Sequence, residues 1–490
     1  MNPLRICFVS SEVAPFAKTG GLADVSSALP GFLAGAGHDV RVFMPMYGSI
    51  NHDRADMKPV HGLTDIAVDM GGRQVTCSVH ETVTAPGGAP LYLLDCPEYY
   101  HREALYGSDP DEHQRFAMLC RATLESCQRL QWGPDIIHCN DWHAALIPLY
   151  LRTLYAWDQL FNDTRTVLTI HNIAYQGVFS SGITHDLGMA GHENMFHRED
   201  FAAGQVNFLK TGILYADAIT TVSETYAREI QTPEYGMGME AALKGRGGSV
   251  IGILNGVDYS IWSPENDSDI PRQYSADGLD GKRVNRDQLL SELGLSPDPV
   301  GPVLGVISRL ASQKGFDLMF GVLPEILAGN DVRLVVLGSG AESYESYFAT
   351  LQLEFPGKVC FYRGFNAGLA HRIEAGSDVF LMPSRFEPCG LNQMYSMRYG
   401  TVPVVRKTGG LADTVKMWNP EDGSGTGFVF DHFSADGFRW ALQAALNSFK
   451  DTEGWRRLMK NGMEQNYSWN SQGRHYLNLY TRLLSGRPVR

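Results

Sequence analysis

The heptapeptide KTGGLAD is written twice in this chain, at residues 18–24 and again at 407–413. Glycine lets a backbone approach a ligand closely, the amides at a helix start carry partial positive charge, and a lysine adds a full charge, which together suit a phosphate. One copy alone reads equally well as a tight turn with a solvated lysine. Two copies, expected at equivalent strand ends, favour a shared ligand. SRLASQKGFD sets Arg309 and Lys314 five residues apart beyond an apolar run. Charge-assisted hydrogen bonds from two cations contribute about 1.5–3 kcal/mol each, which suits a departing diphosphate. On its own this pair is also the start of a solvated helix.

PSRFEPCGLNQMYSMRYG puts Glu387 in a loop bounded by proline and glycine, where a carboxylate can accept sugar hydroxyls. Cys389 has no activating histidine beside it in sequence, so a structural or substrate-contacting thiol is the reading rather than a nucleophile. In the first half, HCNDWHAAL carries Asp141, Trp142 and His143, and TIHNIAYQG carries His171, Asn172 and Tyr175. Such polar and aromatic groups at strand ends suit a sugar. The grouping of His138, Asp141 and His143 is open to a metal reading, but no further ligand group lies nearby, which favours hydrogen-bonded core or loop histidines. DPD at 109–111 and DSD at 267–269 follow no apolar strand and read as solvated loop carboxylates. The chain has no GxxxxGK[ST] loop, and LGSGAES, with only part of a GxGxxG fingerprint, reads as a strand-ending turn.

Parallel α/β architecture is what would position these loops, because it gathers ligands at the carboxyl ends of strands. Short β-rich runs alternate with helical patterns along most of the chain. RICFVSS, DVRVFMP, LYLLD, PDIIHCN, RTVLTIHN, DAITTVS and VIGILNGVD are the expected strands of the first half. PVLGVISR, VRLVVLGSG, KVCFYRGF, DVFLMPS and TVPVVRKTGG are those of the second. LADVSSALPGFLAGAG reads as a helix with Leu22, Val25, Leu29, Phe32 and Leu33 on one face. A polar stretch from about residue 262 to 302 shows no strand pattern, and a hinge is expected near 255–264. The 490 residues exceed what one core usually organises, so two Rossmann-like domains are the economical reading. The last helical pattern, with Tyr476, Leu477, Leu479, Tyr480 and Leu483, could pack on either.

A net charge of −13 without a basic block argues against nucleic acid or an anionic membrane as partner. The N-terminus has no signal-like pattern, no run reaches the roughly 18 apolar residues of a membrane span, and the eight cysteines show no paired metal spacing, so a cytoplasmic location is expected.

Taken together and in this order, the motifs resemble the bacterial glycogen synthase and plant starch synthase family, from about residue 4 to 485. The resemblance implies an α/β fold of two Rossmann-like domains facing a deep cleft, the GT-B glycosyltransferase fold. The implied domains are residues 1–254, residues 255–465 and a C-terminal helix, 466–490, crossing back to the first. It further implies transfer of glucose from ADP-glucose to the non-reducing end of an α-1,4-glucan, with retention of configuration and without a metal or other cofactor. Nucleotide sugar and α-glucan are then the partners, and no oligomeric state is implied. Residue by residue, Arg309, Lys314, Glu387, His171 and Asp141 match the catalytic positions. Lys18, Gly20, Gly21, Asn255, Cys389, Gly390, Thr408, Gly409 and Gly410 match the donor-binding ones, with the amides of the second loop approaching the phosphates. Many retaining GT-B members carry a second glutamate eight residues after the first; here that position is Tyr395, a replacement shared by starch and glycogen synthases. The competing readings are a GT-B enzyme using UDP-glucose or another nucleotide sugar, a catalytically silent glucan binder, and a pyridoxal-phosphate glucan phosphorylase, for which no lysine motif is found.

Overall fold

Strands covered on both faces read as continuous apolar runs rather than alternating ones, and the runs of this chain become parallel strands. A computed structural model describes residues 3–51, 56–84, 87–247, 250–297 and 301–486. The chain divides into two compact units, Met1–Gly256 with Trp469–Arg490, and Val257–Ser468.

The first unit is built on β1 (Arg5–Val9), β2 (Asp39–Pro45), β3 (Pro90–Asp95), β4 (Ile136–Asn140), β5 (Arg165–Ile170), β6 (Ala218–Thr221) and β7 (Val250–Gly252). They lie in the order β7-β6-β5-β4-β1-β2-β3, all parallel. The strand Arg73–Val83 extends this sheet antiparallel beyond β3 and pairs with Ile66–Met70 and Lys58–Pro59. Sequence reading had not singled out these edge strands, nor the small ladder of Val178–Ser180 with Gln205–Asn207.

The second unit is a six-stranded sheet of β8 (Val303–Ile307), β9 (Arg333–Gly338), β10 (Val359–Arg363), β11 (Val379–Met382), β12 (Val402–Arg406) and β13 (Phe428–Phe430). Its order is β10-β9-β8-β11-β12-β13, again all parallel. This is the Rossmann order, and the first sheet repeats it with a seventh strand. The strand order reverses between β1 and β4 in one unit and between β8 and β11 in the other. Loops leaving these neighbouring strands part to opposite faces, which opens a crevice at their carboxyl ends.

Helix α1 (Gly21–Gly35) buries Leu22, Val25, Leu29 and Leu33. Phe32 is only half-buried; it packs on α5 (Trp469–Leu484), where a Cβ on Gly473 would come within 2.3 Å of its ring. Tyr476, Leu479, Tyr480 and Leu483 of α5 are buried, each such side chain contributing roughly 1.5–3 kcal/mol. The Tyr480 hydroxyl lies 2.6 Å from Nδ1 of His138 on β4.

The polar stretch after residue 262 holds no strand among its described residues, but it does contain a helix, Asp280–Glu292. Within the same stretch Asp267 is buried, not solvated: its Oδ2 accepts from Tyr399 and lies 2.8 Å from Nδ1 of His371. Those partners come from more than a hundred residues downstream, which no local pattern could announce. Asp109 and Asp111 do sit at the surface, paired with Arg102.

Candidate active site

Strand ends at the two reversal points carry most of the residues singled out above. In the second unit, β8 leads into the segment holding Arg309 and Lys314, and β11 leads into the loop holding Glu387. Lys314 Nζ lies 2.7 Å from Glu387 Oε2, which also accepts from Ser384 Oγ at 2.9 Å. Glu387 is 5 % exposed, and its Oε1 accepts nothing among the described residues. Arg309 is exposed and makes no ion pair among the described residues. A free guanidinium and an ammonium neutralised only by a glutamate are poised to take a diphosphate, Lys314 exchanging one anionic partner for another.

Backbone packing fixes the two loops against each other. Gln313 accepts from the Arg385 amide and donates through its side chain to the Phe386 carbonyl. Gly315 has φ +70°, and a Cβ there would lie 2.1 Å from the Pro383 carbonyl oxygen, so only glycine lets the Lys314 turn close on this loop. The second KTGGLAD follows β12 and enters α4 (Gly409–Thr414), packed on the same Glu387 loop. A Cβ on Gly409 would lie 1.9 Å from the Glu387 carbonyl oxygen, and one on Gly410 2.0 Å from that of Cys389. Lys314, Glu387, Cys389, Gly390, Thr408, Gly409 and Gly410 are thus brought together. The Gly410 amide, expected to approach phosphate, instead donates to the Glu387 and Pro388 carbonyls at 3.1 Å each. Cys389 is buried, and Tyr395 stacks on Trp262 at 4.2 Å between ring centroids, with His371 on the indole's other face at 3.9 Å. The LGSGAES segment is the expected strand-ending turn: Leu310 donates to the Ser339 carbonyl and Ala341 to that of Leu310.

In the first unit, β4 ends in Asn140 and Asp141 and β5 leads into His171. Asp141 holds φ +56° with ψ −172°, a strained backbone conformation rare outside glycine, and its carboxylate lies back over the end of β5. Its Oδ1 accepts from the His171 amide at 2.7 Å and the Asn172 amide at 3.4 Å. Burial is the main cause pushing the Asp141 carboxyl up to about 7; the two amides pull it down and the Glu12 charge pushes it further up. His171 Nε2 lies 2.9 Å from Asn140 Oδ1, while Asn140 Nδ2 donates to the Val9 carbonyl at 3.0 Å. Asn140 therefore presents an acceptor, His171 carries its proton on Nε2, and Nδ1 is left as an acceptor. Burial lowers His171 to about 3, so the ring is neutral. His138 and His143 are buried, the first bonded to Thr169 and Tyr480, the second among Trp142, Phe116 and Tyr106, so both are core histidines. Asn255, just past β7, is buried with its Oδ1 unpartnered among the described residues.

The first KTGGLAD follows β1. Lys18 is exposed and pairs with Asp24 at 2.6 Å, within its own heptapeptide. The amides of Thr19 and Gly20 are not open to a phosphate: both donate to Glu12 Oε2, at 2.5 and 3.3 Å. Gly21 begins the helix, and its amide donates to nothing among the described residues. Sequence reading missed Glu12, which belongs to no motif; its one signal was an acidic residue directly after a buried strand. The two copies, moreover, do not occupy equivalent strands. One follows the first strand of its sheet, the other the fifth.

Residues 5–245 match the starch synthase catalytic domain, and residues 296–462 match the glycosyl transferases group 1 family. A glycogen synthase of Koribacter versatilis is 46% identical over 97% of this chain and 98% of its own length. The chain belongs to the glycogen and starch synthase family. Another family member, the glycogen synthase of Desulforudis audaxviator, is 45% identical over 98% of this chain and 96% of its own. Among solved structures, the catalytic domain of starch synthase IV from Arabidopsis thaliana, bound to ADP and acarbose, superimposes with a TM-score of 0.91 at 34% identity, covering 99% of this chain and 100% of that one. Sucrose-phosphate synthase from Thermosynechococcus elongatus, at 18% identity and a TM-score of 0.60, shares the fold. Family membership makes the chain a retaining glucosyltransferase of GT-B fold.

Proposed function

We propose that this family member extends an α-1,4-glucan from ADP-glucose by a metal-independent retaining transfer in which Arg309 and Lys314 take the diphosphate and Glu387 the glucose. The observation that carries the reading is the Lys314–Glu387 pair at 2.7 Å, at the reversal point of the second sheet, with an unpaired Arg309 in the same β8 loop. Cationic groups aimed at the leaving oxygen stabilise charge that grows only as ADP departs, so their effect belongs to kcat. The glucosyl centre passes through an oxocarbenium-like state, and the acceptor 4-hydroxyl attacks from the face the leaving group vacates, a phosphate oxygen taking its proton. In the first unit, neutral His171 offers Nδ1 to a sugar hydroxyl, Asp141 lines the reaction centre, and Lys18 with the Gly21 amide serves the donor. Asn255 supplies an acceptor. Gly390 and the Thr408–Gly410 backbone shape the Glu387 loop. The curated relatives' glycogen synthase activity and the ADP bound to the Arabidopsis enzyme support this choice of donor. The absence of a membrane-length apolar helix among the described residues accords with a cytoplasmic enzyme working on a glucan.

The test is incorporation of labelled glucose into added glycogen from ADP-glucose and, separately, from UDP-glucose, each with and without EDTA. Rapid incorporation from ADP-glucose alone is expected. Incorporation only from UDP-glucose, or only without EDTA, would overturn the donor or the metal-independence. Lys314→Ala should lower kcat by about 100-fold or more while the KM for glycogen moves little.

A further inference from the structure

At the start of α1, where helix-end amides would attract an anion, the molecule supplies a carboxylate of its own. Glu12 is 3 % exposed and follows β1 at the reversal point of the first sheet. Its Oε2 accepts from the Thr19 and Gly20 amides, and its Oε1 from Thr19 Oγ1 at 2.6 Å and the Tyr106 hydroxyl at 2.6 Å. Because the Tyr106 hydroxyl spends its proton on Glu12, the Ser11 hydroxyl 2.8 Å away must donate to it. Behind the carboxylate the backbone is held as well: Ser10 Oγ donates to the Glu12 carbonyl at 2.8 Å, Ser26 Oγ donates to Ser10 Oγ, and the Tyr47 hydroxyl donates to the Ser11 carbonyl. Four donors converge on one side chain, and a carboxylate accepts from all of them as they stand. A glutamine could keep its oxygen on the two amides only by turning its NH2 to the Thr19 and Tyr106 hydroxyls, which would then have to stop donating to it and reverse the Tyr106–Ser11 bond.

We infer that Glu12 is a positioning residue for glucosyl transfer, clamping the 18–21 loop so that Lys18 and the open Gly21 amide, rather than the Thr19 and Gly20 amides, serve the donor. This rests on the reading of that loop as part of the donor site. Glu12 acts on a rigid network, not on the reacting atoms. The same carboxylate also reaches the neighbouring β4 end, where its charge acts on Asp141.

Glu12→Gln, Thr19→Val, the double variant and Lys18→Ala should be compared with wild type for Tm and for kcat and KM toward ADP-glucose and glycogen. Thr19 is exposed, so its substitution leaves the fold intact. Glu12→Gln is expected to melt within a few degrees of wild type and to lose about tenfold or more in kcat, with the KM for glycogen within about twofold. Thr19→Val should lose a few-fold and add nothing further in the Glu12→Gln background, since the hydroxyl works through that carboxylate. Folded Glu12→Gln with wild-type kinetics would overturn the inference, and so would additive losses in the double variant. Should Glu12→Gln fail to fold, Thr19→Val and Tyr106→Phe both at wild-type activity would overturn it equally. Lys18→Ala separates the two layers: if it alone is silent while Glu12→Gln is impaired, the donor role of the loop fails and Glu12 acts elsewhere. If Lys18→Ala is impaired and Glu12→Gln is not, the loop reading stands and the clamp falls.

Discussion

Two identical heptapeptides in this molecule have different surroundings and different work. The copy after β1 stands over open space: a Cβ on Gly20 would meet nothing within 4 Å, and its lysine pairs inside the heptapeptide with Asp24. The copy after β12 is buried against the Glu387 loop, and its lysine turns outward to Asp431 at 3.3 Å. There Lys407 lines a surface groove of about 550 Å³ with Asp431 and Trp440. What differs is the place in the sheet. After the first strand a glycine-rich turn sits at the reversal point itself. After the fifth, it braces a loop that comes from the fourth. In the second unit the reversal point is served by Arg309, Lys314 and Glu387. Identical sequence at non-equivalent strands is therefore no internal symmetry of the fold.

The sharpest way to break this contrast is to add one methyl group to each copy. Gly410→Ala drives a Cβ to 2.0 Å from a carbonyl oxygen, a backbone clash that cannot relax without moving the Glu387 loop. Loss of about 100-fold or more in activity, with a lowered Tm, is expected. Gly20→Ala has φ −158°, which any residue adopts, and only exchanges one helix cap for a poorer one, at about 0.5–1 kcal/mol. Comparable effects from both would mean that the copies are equivalent after all.

The same contrast explains which parts of the site could be read in advance. Parallel strands showed themselves because burial on both faces demands uninterrupted apolar residues, and the chemistry at their ends sat in recognisable motifs. Glu12 did not show itself, because what makes it special is four donors arriving from Thr19, Gly20 and Tyr106, and one glutamate in SSEVAP carries no trace of them. The helix Asp280–Glu292 was missed for a related reason. Its buried face includes Lys282, whose ammonium donates to the carbonyls of Ala375 and Tyr399 and to the Thr401 hydroxyl, capping the C-terminal ends of α2 (Ala367–Gly376) and α3 (Asn392–Arg398). Burial satisfied by distant carbonyls is invisible to a hydrophobic pattern. Asp267, with His371 and Tyr399 as partners, is a third case.

A smaller effect sharpens the comparison at the two lysines. Lys18→Ala should cost about tenfold in kcat/KM for ADP-glucose, if the first loop serves the donor. Lys407→Ala removes an ion pair whose partners are 62% and 69% exposed, and should change activity less than about twofold. Steady-state kinetics with ADP-glucose as varied substrate decide the matter, and equal losses would restore the second lysine to the donor.

A difference read in stability rather than in rate concerns the carboxylates at the two reversal points. Glu387 has Lys314 beside it, whereas Asp141 has only two amides to offset its burial, and no ion pair among the described residues. Its folded carboxyl titrates at about 7 against 3.8 for the free group, so between those values the folded protein holds a proton that the unfolded chain has released. Stability contributed by that proton is present at the acid end of this window and is lost as pH rises toward 7, at up to about 1.4 kcal/mol per pH unit. Asp141→Asn cannot titrate, and groups common to both proteins cancel in the difference. The Tm of wild type relative to Asp141→Asn should therefore fall between pH 4 and 7 and level off above. A difference that stays flat across that window would mean that Asp141 remains charged in the folded enzyme, and that the amides of His171 and Asn172 do for it what Lys314 does for Glu387.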